Sequence, residues 1–140
     1  MGAPADRAFA LPQALRDEIA AHARADAPRE ACGLIAGRDG ALRLIRCRNA
    51  HPTPVTRYVI DAREQLKAFR EMDARGEELV AIYHSHPVSQ PYPSPTDRAE
   101  AHYPEAFYVL VSLRTGEPEL RAYRIRDSFV REVALGSTVR

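Results

Sequence analysis

The sequence predicts a single mixed α/β domain, and three observations carry that expectation. Apolar runs of strand length alternate with amphipathic stretches of helix length. The breaks between them hold Gly, Pro, Asn and Asp, the residues that terminate regular structure. The length, 140 residues, suffices for one core of ordinary size and leaves little for a second.

The elements follow in order. Residues 1–10 are expected to be a flexible lead-in, 11–135 the domain, and 136–140 a tail. Residues 11–24 read as an amphipathic helix: Pro12 suits a first-turn position, and Leu15, Ile19 and Ala23 share a face. Residues 31–36 (ACGLIA) form a short apolar run, Gly37-Arg38-Asp39-Gly40 a turn, and 41–48 the second arm of a hairpin. Residues 49–56 are a loop with two prolines, and Tyr58-Val59-Ile60 is strand-like. Asp61, with Glu64 three residues on, predicts a helix start; Leu66, Phe69 and Met72 share its face and Gly76 stops it. Residues 79–84 read as a central strand. Four prolines between 87 and 96 exclude a regular element and predict a stiff loop. A short helix over 97–102 and strands over 107–113, 120–125 and 129–133 complete the chain.

Charge and composition exclude several classes. A net charge of +1 argues against a dedicated nucleic-acid or membrane-surface binder. No stretch approaches the ~20 apolar residues of a membrane span. Residues 1–25 are charged throughout rather than built as a signal peptide, and Asp6 occupies the position where myristoylation needs Ser or Thr. The expectation is a soluble cytoplasmic protein. The two cysteines, Cys32 and Cys47, cannot make an all-cysteine zinc site and are too few for a disulfide scaffold. They lie on opposite arms of the hairpin and are expected to be buried packing residues. His22, His51 and His102 are expected at the surface, and Tyr58, Tyr83 and Tyr92 as packing or loop contacts, with a place along a substrate groove the alternative for Tyr92.

The chemistry concentrates at His84-Ser85-His86-Pro87. In a strand, residues i and i+2 point to one face, so both imidazoles can hold one metal ion. Pro87 ends the strand and opens it to a ligand. Asp97 follows across the proline-rich loop, which is long enough to fold back with a third ligand. Two histidines, one aspartate and a position left to water make the open tetrahedral zinc site of a hydrolase. As the alternative, Asp97 reads as the N-cap of a short helix, Ser94 as a loop hydroxyl and Glu30 as a solvated residue ahead of a strand.

The accompanying residues make the pattern specific. Glu30, a long gap, HSHP at 84–87, six residues, Ser94, two residues and Asp97 resemble the signature of the JAMM, or MPN-plus, metalloprotease family. EACGLIAG at 30–37, RNAHPTPVTRYVIDAREQ at 48–65 and YVLVSL at 108–113 are similar to that family's strands, Asn-containing loop and helix. The resemblance implies an MPN-like domain, a curved mixed β-sheet flanked by helices. It implies one Zn2+ per chain on His84, His86 and Asp97. Glu30 would be the general base and Ser94 the donor to the oxyanion. A lone carboxylate beside an apolar strand is costly unless a cation or a function holds it, which supports the role given to Glu30. The substrate implied is a ubiquitin-like or sulfur-carrier protein with a C-terminal Gly-Gly, cut from a lysine or from an added amino acid such as cysteine. The resemblance allows a homodimer. A non-catalytic MPN scaffold is the alternative, and the standing ligand set weighs against it. A nucleoside deaminase would need His-x-Glu and Pro-Cys-x-x-Cys, and neither is present.

Overall fold

A computed structural model describes residues 8–136. Its described residues form β1 (Ala8–Ala10), α1 (Gln13–Asp26), β2 (Cys32–Arg38), β3 (Ala41–Cys47) and α2 (Ala62–Arg75). These are followed by β4 (Glu78–His86), α3 (Pro95–Ala99), β5 (Phe107–Ser112), β6 (Glu119–Arg126) and β7 (Phe129–Gly136). The strands make one mixed sheet in the order β1-β7-β6-β5-β4-β2-β3. β1 runs parallel to β7 and β4 to β5; the remaining pairs are antiparallel. This is the single α/β domain on a curved mixed sheet that the sequence predicts.

The sheet buries both faces, each with its own core. α1 covers one, where Ile19 and Ala23 meet Ile35, Ala81, Tyr83, Val109 and Val111. α2 covers the other, where Ala68 and Met72 meet Leu34, Ile82, Tyr108 and Leu110. β4 lies between β2 and β5, so its near-continuous apolar run feeds both cores alternately. Its C-terminal end delivers His84 and His86 to the α2 side, and Tyr83 and Ser85 to the α1 side.

Local sequence explains the element ends. The β2–β3 hairpin turns on Asp39 and Gly40, at φ 53° and 85°, the left-handed pair that an Asp-Gly two-residue turn requires. Asp61 caps α2 by accepting from the N–H groups of Arg63 and Glu64. Gly33 is dictated by packing, because a Cβ there would stand 2.3 Å from the Tyr83 ring.

Four expectations need correction. The lead-in assigned to 1–10 is a strand at Ala8–Ala10, held because Phe9 is buried and stacks on Phe107 at 4.4 Å. Residues 1–7 and 137–140, with the rest of the expected lead-in and tail, lie outside the described residues, and Gly136 itself ends β7 opposite Ala10. The strand expected at 58–60 is reduced to one bridge, Asn49 to Ile60. The short helix begins earlier than expected: Ser94, not Asp97, is its N-cap, and Asp97 sits at its third position. Pro12 stands just before α1 as its N-cap rather than inside its first turn.

Candidate metal centre

The site is built on the end of β4. His84 and His86 emerge on one face, and the proline-rich loop returns so that α3 presents Asp97 to both. His84 Nε2 lies 3.2 Å from His86 Nε2 and 3.2 Å from Asp97 Oδ2, and His86 Nε2 lies 3.1 Å from the same oxygen. Two ligands at ~2.0–2.1 Å from a tetrahedral ion are about 3.3 Å apart, so the three atoms fit one face of such a site. The chemistry of the set agrees: two imidazoles and a carboxylate, all largely shielded from water.

Each of the three side chains is held from behind. His86 Nδ1 donates to the Gln90 carbonyl at 2.8 Å, which turns its Nε2 lone pair toward the centre. The His84 ring lies against Tyr58, centroids 4.3 Å apart and nearly parallel. Asp97 Oδ2 accepts from the Ser94 N–H at 2.9 Å, and Ser94 Oγ accepts from the Asp97 N–H at 3.0 Å, a reciprocal capping box. The Ser94 hydroxyl therefore uses a lone pair on the helix and keeps its proton to donate.

Glu30 sits just ahead of β2 and is buried, with Oε1 lacking any hydrogen-bond partner among the described residues. Burial pushes its carboxyl up to about 7, with His86 opposing and Asp97 adding to the rise. Its main chain is fixed by the loop after β3. The Glu30 N–H donates to the Pro54 carbonyl at 2.7 Å, and Asn49 Nδ2 donates to the Glu30 carbonyl at 2.9 Å. The same Asn49 amide holds the carbonyls of Pro54 and Arg57 and, through Oδ1, the N–H groups of His51 and Val59. Burial lowers the His84 pKa. Burial also works against a charge on His86, but Asp97 and the Gln90 carbonyl raise it above the ordinary value. Asp97 is desolvated too, yet hydrogen bonds from both histidines hold it well below the usual carboxylate range.

A groove reaches the centre. Its outer part, about 290 Å³, is walled by Leu34, Ile60, Ile82, Tyr103 and Tyr108. Its inner part, about 250 Å³, is lined by Thr56, Arg57, Ser94, Thr96, Asp97 and Glu100. Tyr58 and Glu100 line both. Val59 and Asp61 bond back to residues 48–50, so Tyr58 and Ile60 direct their N–H and C=O groups to the opposite side.

Glu30, His84, His86, Ser94 and Asp97, singled out in the sequence, thus gather around one point. The histidine expectations divide. His102 is exposed and His51 half-buried, but His22 is buried, bonded to the Tyr83 hydroxyl at 2.7 Å. Its place three residues after Ile19 on the apolar face of α1 was the available signal. Tyr92 packs edge-on to Tyr123, the packing role expected of it, and is not among the residues lining the groove. The contributions of Tyr58 and Asn49 were missed; only Tyr58's i, i+2 relation to Ile60 hinted that it faces inward. Cys32 and Cys47 face each other across β2 and β3 as buried free thiols. Burial raises both, Cys47 to about 12, so they remain thiols. No helix among the described residues is long and apolar enough to cross a membrane.

Comparison with known proteins finds a family and relatives. Residues 12–126 match the family described as prokaryotic homologs of the JAB domain. The chain is 48% identical over 122 residues to a protein of Mycobacterium tuberculosis named CysO-cysteine peptidase, covering 84% of this chain and 83% of that one. It is 38% identical over 125 residues to a Thermus thermophilus protein named "Probable TtuB-protein conjugate cleaving protease", covering 89% and 80%. A solution structure of a Desulfitobacterium hafniense protein, 31% identical, superposes with a TM-score of 0.81 over 94% of this chain and 93% of that one.

Proposed function

This chain belongs to the family of prokaryotic homologs of the JAB domain, and we propose that it is a zinc-dependent hydrolase of amide bonds. The bond cut joins the C-terminal Gly-Gly of a ubiquitin-like or sulfur-carrier protein to an amine. One observation carries the reading: His84, His86 and Asp97 converge to within 3.2 Å beside Glu30, whose buried Oε1 has no hydrogen-bond partner among the described residues. The names of the two relatives, a peptidase and a conjugate-cleaving protease, support it.

His84, His86 and Asp97 would hold the ion. Zinc, when bound, lowers the pKa of water and polarises a carbonyl as a Lewis acid. Glu30 takes a proton from the attacking water as the water oxygen bonds to the carbonyl carbon. It gives that proton to the nitrogen as the C–N bond breaks. A carboxyl raised to about 7 is matched to both halves of that exchange. The Ser94 hydroxyl donates to the oxyanion, with its own position fixed by the capping box. The carrier tail lies in the apolar groove as an added strand, bonding to the main-chain groups of Tyr58 and Ile60.

The test joins metal analysis to cleavage of a carrier extended beyond Gly-Gly. Wild-type and Glu30→Gln protein should each hold one zinc, and Glu30→Gln should lose about 10²–10⁴-fold in turnover. Turnover retained in Glu30→Gln would remove Glu30 from the chemistry. A wild-type protein that takes up no zinc and cuts nothing would be a binding module instead.

A further inference from the structure

Arg57 is the feature of the inner cleft that the hydrolytic chemistry does not use. Its backbone is fixed, with the N–H donating to Thr53 O and the carbonyl accepting from Asn49. Its exposed guanidinium has no partner among the described residues. It lines the cleft beside Thr56, Ser94, Thr96 and Asp97. Of the two acids there, Asp97 is engaged by both histidines, and Glu100 lies where the cleft joins the outer groove.

The register fixes which side of the metal centre this cleft serves. Along β4, Ile82 pairs with Leu34 and His84 with Cys32, and Glu30 lies two residues further the same way. The apolar groove sits at the Ile82 and Leu34 level, and Tyr58 stacks at the His84 level. Thr56 and Arg57 lie beyond Tyr58. A tail that enters along the groove therefore passes the ligands and delivers its leaving amine into the inner cleft. At about 250 Å³ the cleft falls below the ~300–1,000 Å³ of pockets for drug-sized ligands, so it suits one residue.

The geometry points to Arg57 as the group that reads the α-carboxylate of a leaving amino acid. The preferred substrate is then a carrier extended by a single residue with a free C-terminus. This rests on the hydrolase reading above and narrows it. In such a substrate the carboxylate carbon is two bonds from the scissile nitrogen, about 2.5 Å away, so a cation lining the metal cleft is within reach. In a lysine-linked conjugate the ε-nitrogen is separated from any main-chain carboxyl by the whole side chain, and Arg57 has nothing to hold. A planar guanidinium suits a carboxylate better than a lysine would, because it offers two parallel donors. The Thr56 and Thr96 hydroxyls add donors on the same cleft.

The test uses zinc-loaded protein and three probes. One is a carrier ending in Gly-Gly-Ala as the free acid, the second its C-terminal carboxamide, and the third the same carrier joined through Gly-Gly to a lysine side chain. Wild type should prefer the acid over the amide by about 10- to 100-fold in kcat/KM, carried by KM. Arg57→Ala should abolish that preference, with the larger loss in kcat/KM falling on the acid, and Arg57→Lys should restore part of it. Calorimetry on Glu30→Gln protein should show the same acid preference in affinity, lost in the Arg57→Ala, Glu30→Gln double variant. Equal handling of acid and amide by wild type, an equal loss on both in Arg57→Ala, or lysine-linked carrier cut as fast as the acid would each overturn the assignment. If wild type cuts none of the probes yet calorimetry still shows the Arg57-dependent preference, the hydrolase reading fails and the carboxylate site stands.

Discussion

β4 carries polar side chains on both faces, and the fold treats the two sets in opposite ways. On the α1 side, Ser85 Oγ accepts from the Ala31 N–H at 2.7 Å, and the Tyr83 hydroxyl meets His22 at 2.7 Å. Both polar side chains that β4 places there have an internal partner, as burial demands. On the α2 side, two imidazole nitrogens face each other at 3.2 Å, and one oxygen of a buried carboxylate is left without a partner. Two ring nitrogens and a carboxylate oxygen crowded within 3.2 Å, next to a buried carboxylate oxygen that lacks a donor among the described residues, are costly to bury unless something positive joins them. Alternate residues of one strand thus differ in kind: Tyr83 and Ser85 bond to groups of the α1 side, while His84 and His86 converge on Asp97.

The strongest attempt to break that contrast removes the ligands. His84→Ala with His86→Ala should abolish zinc uptake and reduce turnover to background, a loss of at least about 10³-fold. The metal-free variant should still fold, with stability reduced by the contacts it gives up: His86 Nδ1 to the Gln90 carbonyl, His84 against Tyr58, and both imidazoles on Asp97. Metal analysis with denaturant unfolding checks both. A metal-free variant that unfolds would show that the histidines hold the fold as Tyr83 and Ser85 do.

Ser94 sharpens the contrast, because one hydroxyl belongs to both categories. Its lone pair caps α3, and the residue lines the cleft with its proton left to donate. Ser94→Asp keeps a capping oxygen and loses the donor; Ser94→Ala loses both. Both should lower kcat by about 10²-fold if the donor stabilises an oxyanion. Only Ser94→Ala should also lose about 1 kcal/mol of stability. If Ser94→Asp retained full kcat, the hydroxyl would be a cap alone.

The legibility of the two faces differed for a physical reason. The convergence of His84, His86 and Asp97 could be read from the sequence because the three are close in the chain: His84 and His86 by strand period, Asp97 across one loop. The hairpin was equally plain, since alternation and Asp-Gly are local signals. What escaped was set by distant contacts. Phe9 finds Phe107, and β1 finds β7, only once the sheet has formed. His22 looked like a surface residue because its partner, Tyr83, is 61 residues away. Ser94 was read as a loop hydroxyl or an oxyanion donor, and its cap became visible only when α3 was seen to start at Pro95.

The smallest effects belong to the satisfied face, and they appear in stability rather than in catalysis. Tyr83→Phe leaves buried His22 Nδ1 without its partner, so it should cost about 1–3 kcal/mol with kcat unchanged. The pH response should separate the faces as well. Burial lowers the His22 pKa; Asp26, 3.3 Å from Nε2, works against that, and Arg46 adds to it. The unfolded chain titrates His22 near 6.5, so as pH falls through that value it takes up a proton that the folded form still refuses. His22 therefore contributes stability above its unfolded pKa that is lost as pH drops through its lower folded value. Glu30 acts in the opposite direction. Its raised carboxyl makes metal-free protein lose stability as pH climbs from about 4.5 toward about 7. Unfolding curves of metal-free wild type, His22→Gln and Glu30→Gln at several pH values resolve the two. His22→Gln should flatten the acid side and Glu30→Gln the rise toward neutrality. If His22→Gln kept the wild-type slope below pH 6.5, the buried pair on the α1 side would not be the neutral, fully satisfied contact that sets this face apart from the metal centre.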